Sequence, residues 1–149
     1  MNSLYKAVSV REVGAPVAAA STTDSNSDRI DMANYESVMF ICPIEDSVAT
    51  GVATLKVEQN IIDSDTGMAA LSGASATATC TTNDDLNGQV LVVDVVKPVE
   101  RYVQAVRTSA TANIAFGTLI AVLYNPRTLP QSDSSTVLDS AVVTEPAEA

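Results

Sequence analysis

Residues 52–59 read Val-Ala-Thr-Leu-Lys-Val-Glu-Gln, and this stretch decides the fold. Ala53, Leu55 and Val57 alternate with Thr54, Lys56 and Glu58. A period of two, apolar against polar, belongs to a β-strand with one buried face. Residues 74–81 repeat the pattern in smaller side chains: Ala74, Ala76, Ala78 and Cys80 alternate with Ser75, Thr77, Thr79 and Thr81. Such small residues predict close approach of a second layer.

Working outward, residues 36–42 (ESVMFIC) form an apolar run of strand length that Pro43 is expected to end. Residues 89–96 are strongly β-branched and residues 101–107 (RYVQAVR) form a further strand candidate. Residues 114–124 (IAFGTLIAVLY) read as the longest strand, with Gly117 as a bulge. Asp63 to Gly67 is a turn, and Asn87-Gly88 carries a hairpin signal. Residues 68–71 suit one helical turn. About six strands separated by turn residues predict an all-β antiparallel sandwich or jelly roll.

Three zones follow. Residues 1–34 read as an extended N-terminal arm, because residues 21–28 (STTDSNSD) hold no apolar side chain. Residues 35–127 carry the sandwich. Residues 128–149 read as a flexible acidic tail: no basic residue follows Arg127, while Asp133, Asp139, Glu145 and Glu148 do. Near the start, Arg11 and Glu12 interrupt the apolar run, so no secretion signal is expected. No apolar stretch approaches the ~20 residues of a membrane-spanning helix.

Composition narrows the chemistry. The chain has 149 residues, a net charge of −10, no His and no Trp. Without His the commonest general base, the Ser-His and Cys-His pairs and the usual zinc ligands are missing. The acidity argues against a nucleic-acid footprint. Asp63-Ser64-Asp65-Thr66-Gly67 only faintly resembles a calcium loop, since the third oxygen ligand and the closing Glu are lacking. The acidic neighbours Glu45-Asp46 and Asp84-Asp85 read as solvated loops. Phosphate-loop and nucleophile-elbow patterns are absent. No enzyme activity, catalytic residue, metal or cofactor is expected. Cys42 and Cys80 read as two buried free thiols, with a disulfide open if their strands are neighbours.

One stretch has more character. Arg101, Tyr102, Arg107, Tyr124 and Arg127 gather positive charge and aromatic rings in an otherwise acidic chain. Arg and Tyr are enriched at protein interfaces, which makes these five the candidate interface. Edge protection and snorkelling side chains are the other reading of the same residues.

The order LVVDVVKP, ERYVQAVRT, TAN and GTLIAVLYNPR, within residues 91–127, resembles a family of small structural proteins of tailed bacteriophages. The strongest elements are Glu100-Arg101-Tyr102-Val103 and Tyr124-Asn125-Pro126-Arg127, and residues 48–59 also fit. The resemblance covers roughly residues 36–130 and leaves the arm and tail without counterparts. It implies a capsid decoration (cement) protein made in the host cytoplasm and carried on the capsid surface of the virion. The implied partners are the major capsid protein and further copies of the chain, with a trimer favoured, and neither nucleic acid nor membrane. A head–tail connector or other tail protein is the alternative within the virion. A carbohydrate-binding sandwich fits less well, because sugar sites favour exposed aromatic rings and Trp is missing.

Overall fold

The computed structural model describes residues 3–148. Its strands in chain order are β1 (Val8–Gly14), β2 (Val17–Ala20), β3 (Thr23–Asn26), β4 (Ile30–Asp31), β5 (Tyr35–Ser47) and β6 (Val52–Asn60). They continue with β7 (Ala69–Thr79), β8 (Val90–Val96), β9 (Tyr102–Ala110), β10 (Ile114–Phe116) and β11 (Leu119–Pro126). A six-stranded sheet holds β1, β11, β5, β10 and β2 in that order, with β8 also paired to β5. A five-stranded sheet runs β3, β9, β6, β7, with β4 also on β9. All pairings are antiparallel. The protein is the all-β sandwich its alternations predict.

The core is the alternation made solid. Ala53, Leu55 and Val57 of β6 are fully buried, as are Val38, Phe40 and Cys42 of β5. Val103 and Ala105 of β9 and Leu119, Ala121 and Leu123 of β11 close the same layer. Each large apolar side chain taken out of water here contributes about 1.5–3 kcal/mol. Ala74, Ala76 and Ala78 pack half-buried against this core, and β7 lies beside β8 of the other sheet. The small side chains permit that approach.

Several boundaries differ from the sequence expectation. The first 34 residues are not an arm lying apart from the body: they supply β1, β2, β3 and β4. Strand β1 pairs with β11, β2 with β10, and β3 and β4 with β9. The polar run forms a strand because β3 needs no apolar side chain. It is held by backbone pairing from Thr23↔Ser109 to Asn26↔Val106, and by the Ser109 hydroxyl donating to the Ala20 carbonyl at 2.8 Å.

Pro43 does not end β5. Its carbonyl accepts from Gly117 N at 2.8 Å, where β5 changes neighbour from β11 to β10. The missing proline N–H therefore falls at a break in the neighbouring strands. That same break, at Gly117-Thr118, divides the expected longest strand into β10 and β11. Residues 69–71, expected within a helical turn, belong to β7. Asn87-Gly88 makes a turn, with Gly88 at φ +74°, but it links the two sheets instead of a hairpin.

The residues after Arg127 form no strand within 128–148. They are nonetheless tied to the body along the free edge of β1. The Ser134 hydroxyl donates to the Val10 carbonyl at 2.8 Å, and Glu12 N donates to Thr136 Oγ1 at 3.1 Å. Gln131 N donates to the Lys6 carbonyl at 2.8 Å. No helix among the described residues is long and apolar enough to cross a membrane.

Candidate functional site

The five interface candidates do not converge. Arg101, just before β9, donates from Nε and Nη2 to the two carboxylate oxygens of Asp31 at 2.9 and 2.8 Å. That fork-to-fork pair holds the Asp31 carboxyl below its usual range, with a further contribution from Ala33 N. The Arg101 guanidinium also lies 5.3 Å from the centre of the Tyr102 ring. Arg101 and Arg127 line one groove of about 500 Å³ with Lys97, Tyr35 and Glu36. Two of the three cations there are already paired, Arg101 with Asp31 and Lys97 with Glu36 at 3.8 Å.

Tyr124 stands elsewhere, on the outer side of β11, where its hydroxyl donates to Asp94 Oδ1 at 2.7 Å. Burial, followed by that bond, raises its pKa.

Arg107 is not a surface residue. It is the largest fully buried side chain and belongs to the interior. Alternation along β9 places it on the same inward side as Val103 and Ala105. From there Nη1 donates to the Gly117 carbonyl at 2.9 Å, while Nε has no partner among the described residues. Burial lowers its pKa. It braces one sheet against the other, and it leaves the candidate interface.

The acidic loops are also accounted for. Arg29 binds both Asp63 and Asp65, and Asn60 Nδ2 ties the Ser64 and Thr66 carbonyls at 2.9 and 3.0 Å. Asp85 caps the turn after β7, accepting from Thr81 N at 3.0 Å and Thr82 N at 3.1 Å. No cluster of three or more metal-ligating side chains occurs among the described residues. Cys42 and Cys80 are free and buried. Burial pushes the Cys42 thiol up to about 11.

The surface with distinctive chemistry is the outer face of β1, β11, β5 and β8. The register stacks its side chains in rows. One row runs Val10, Val122, Met39, Asp94, and the next runs Glu12, Ile120, Ile41, Val92. Val8, Tyr124, Ser37 and Val96 form a third, in which Val8 and Ser37 are buried, and Pro43 stands beside Val90. Val90, Val92 and Val96 are 53%, 44% and 62% exposed. Only Glu12 and Asp94 bring charge to these rows. From strand spacing and rise the sheet under these rows has a footprint of about 19 by 24 Å, or about 450 Å².

The opposite sheet is built differently. Its outer side carries Lys56, Glu58, Ser75 and a Thr54–Thr77 hydroxyl pair at 3.0 Å. One side of the sandwich is therefore dressed for water and the other is not. The signal for this was present in the sequence. VMFIC, VLVV and LIAVLY are continuous apolar runs, which is how strands covered on both faces read. No protein-family model matches the chain, and no curated protein matches it.

Proposed function

We propose that the protein is a non-enzymatic structural component of a tailed-bacteriophage virion, a decoration protein that sits on the capsid and ties major capsid proteins together. The observation that carries this reading is the apolar outer face of β1, β11, β5 and β8. Its footprint of about 450 Å² is comparable to the largest apolar patch of a typical soluble protein, which is often functional. The resemblance of residues 36–130 to phage structural proteins supplies the partner. The mechanism is mechanical. Each copy laid across a contact between capsid proteins adds buried area, and many copies raise the barrier to separating them.

Co-sedimentation with shells that lack the protein tests this. The wild-type chain is expected to pellet with the shells. Val122→Lys, in the middle of the apolar face, is expected to lose that binding, while Thr77→Lys on the other sheet keeps it. Equal pelleting of both variants would sink the assignment of this face, and no pelleting of the wild type would sink the capsid role.

A further inference from the structure

The two long edges of the apolar-faced sheet are finished differently. At the β1 edge, Ser134 and Thr136 occupy the outward Val10 carbonyl and Glu12 N–H. At the β8 edge nothing does. Ile44 exchanges bonds with Gly88 and Gln89, so the inward-bonding residues of β8 are Leu91, Val93 and Val95. The backbone groups of Val90, Val92, Asp94 and Val96 point away from β5, with no hydrogen-bond partner among the described residues. The side chains of those residues are exposed as well.

Proteins usually blunt such an edge with Lys, Pro, a bulge or a covering segment. Strand β7 has a register break and Gly73 at φ +79°, and the β3–β4 edge is interrupted. Strand β8 runs unbroken from Val90 to Val96 with one charge, Asp94, which is engaged by Tyr124.

We propose that β8 is a strand-addition site and that its occupant is β8 of a second copy, paired antiparallel about a twofold axis at Val92. That register sets Val92 against Val92 of the other copy and Val90 against Asp94. It satisfies the outward groups of Val90, Val92 and Asp94 on both copies with about six backbone hydrogen bonds, with Val96 beyond the paired segment. The two Asp94 carboxylates then lie about 14 Å apart along the strands. A register centred on Asp94 would oppose them directly, which is unfavourable.

The apolar row Ile120, Ile41, Val92 also continues without a break into the second copy. Two outer faces side by side double the footprint to about 900 Å², the scale of a specific interface on one partner. This area argument rests on the proposed capsid role; the edge and its register do not. The pairing is isologous and closes as a dimer, not the trimer that the resemblance implies.

Light scattering on the isolated full-length chain tests the pairing apart from any capsid. The expected mass is twice the 15.5 kDa of one chain. With −10 on each copy, salt is expected to tighten the dimer. Val92→Lys places two ammonium groups at the axis and is expected to give monomers with an unchanged circular dichroism spectrum. Val92→Pro removes an N–H that only the second copy would use, and it is expected to do the same. A monomeric or trimeric wild type, or folded variants that stay dimeric, would overturn the proposal.

Discussion

Arg107 reaches across the sandwich to Gly117: a guanidinium rooted in β9 donates to a carbonyl at the break between β10 and β11, at 2.9 Å. The bond joins the two sheets at the point where the neighbour of β5 changes. Space for the guanidinium is made by Gly14, where a Cβ would stand 2.7 Å from Arg107 Nη2.

Because the buried charge gains little beyond that one bond, Arg107→Met is expected to stay within about 1 kcal/mol of wild type. Arg107→Ala, which leaves a cavity, is expected to cost about 3 kcal/mol. Gly14→Ala is expected to cost about 1–2 kcal/mol alone and clearly less beside Arg107→Met. Urea unfolding of the four variants measures this. Additive costs for Gly14→Ala and Arg107→Met would contradict the contact.

The Asp31–Arg101 pair gives a pH signature. Arg101 holds the Asp31 carboxyl below its unfolded value. The stabilisation is therefore complete above about pH 4 and lost as pH falls through the lower folded value. Asp31→Asn is expected to melt below wild type at neutral pH, and the gap is expected to close in acid. A gap independent of pH would mean the pair does not carry it.

The two thiols should be silent in the native protein. Cys42 is pushed up to about 11 by burial, and burial likewise raises Cys80. Neither is expected to be alkylated at about pH 8, and both should react once urea unfolds the chain. Mass spectrometry of the labelled chain reads this directly, and rapid native labelling of Cys42 would contradict its packing.

Removing residues 131–149 should uncover the edge of β1. Glu12 N–H loses its Thr136 partner and is expected to exchange with solvent at least about tenfold faster. The Arg11 amide, which faces β11, should change little, since Arg11 pairs with Ala121. Hydrogen exchange followed by NMR separates the two amides. Equal acceleration at both would indicate general loosening instead.

The sandwich was legible because β6 and β7 alternate apolar with polar side chains, and their apolar sides, Ala53, Leu55, Val57 and Ala74, Ala76, Ala78, are the ones that face the core. The start of the chain was not. Strand β3 is held by backbone bonds to β9, which side-chain composition does not report, and β4 is two residues long with only Ile30 entering the core. Pro43 and Gly117 misled in opposite directions, one tolerated inside β5 and the other dividing what read as a single strand. Both effects depend on where the neighbouring strand stops, a tertiary fact. Arg107 looked like a surface charge by residue type, although its alternation with Val103 and Ala105 already placed it inward. The apolar outer face was legible in the continuous runs of β5, β8 and β11, whereas the Arg and Tyr count that singled out the candidate interface placed only Tyr124 on its rows.

The most direct measurement is an electron-microscopy reconstruction of the purified particle. Many copies are expected over the shell, each with the Val10–Val122–Met39 row turned onto capsid protein. A single ring at the tail vertex, absence from the particle, or that row facing open solvent would contradict it.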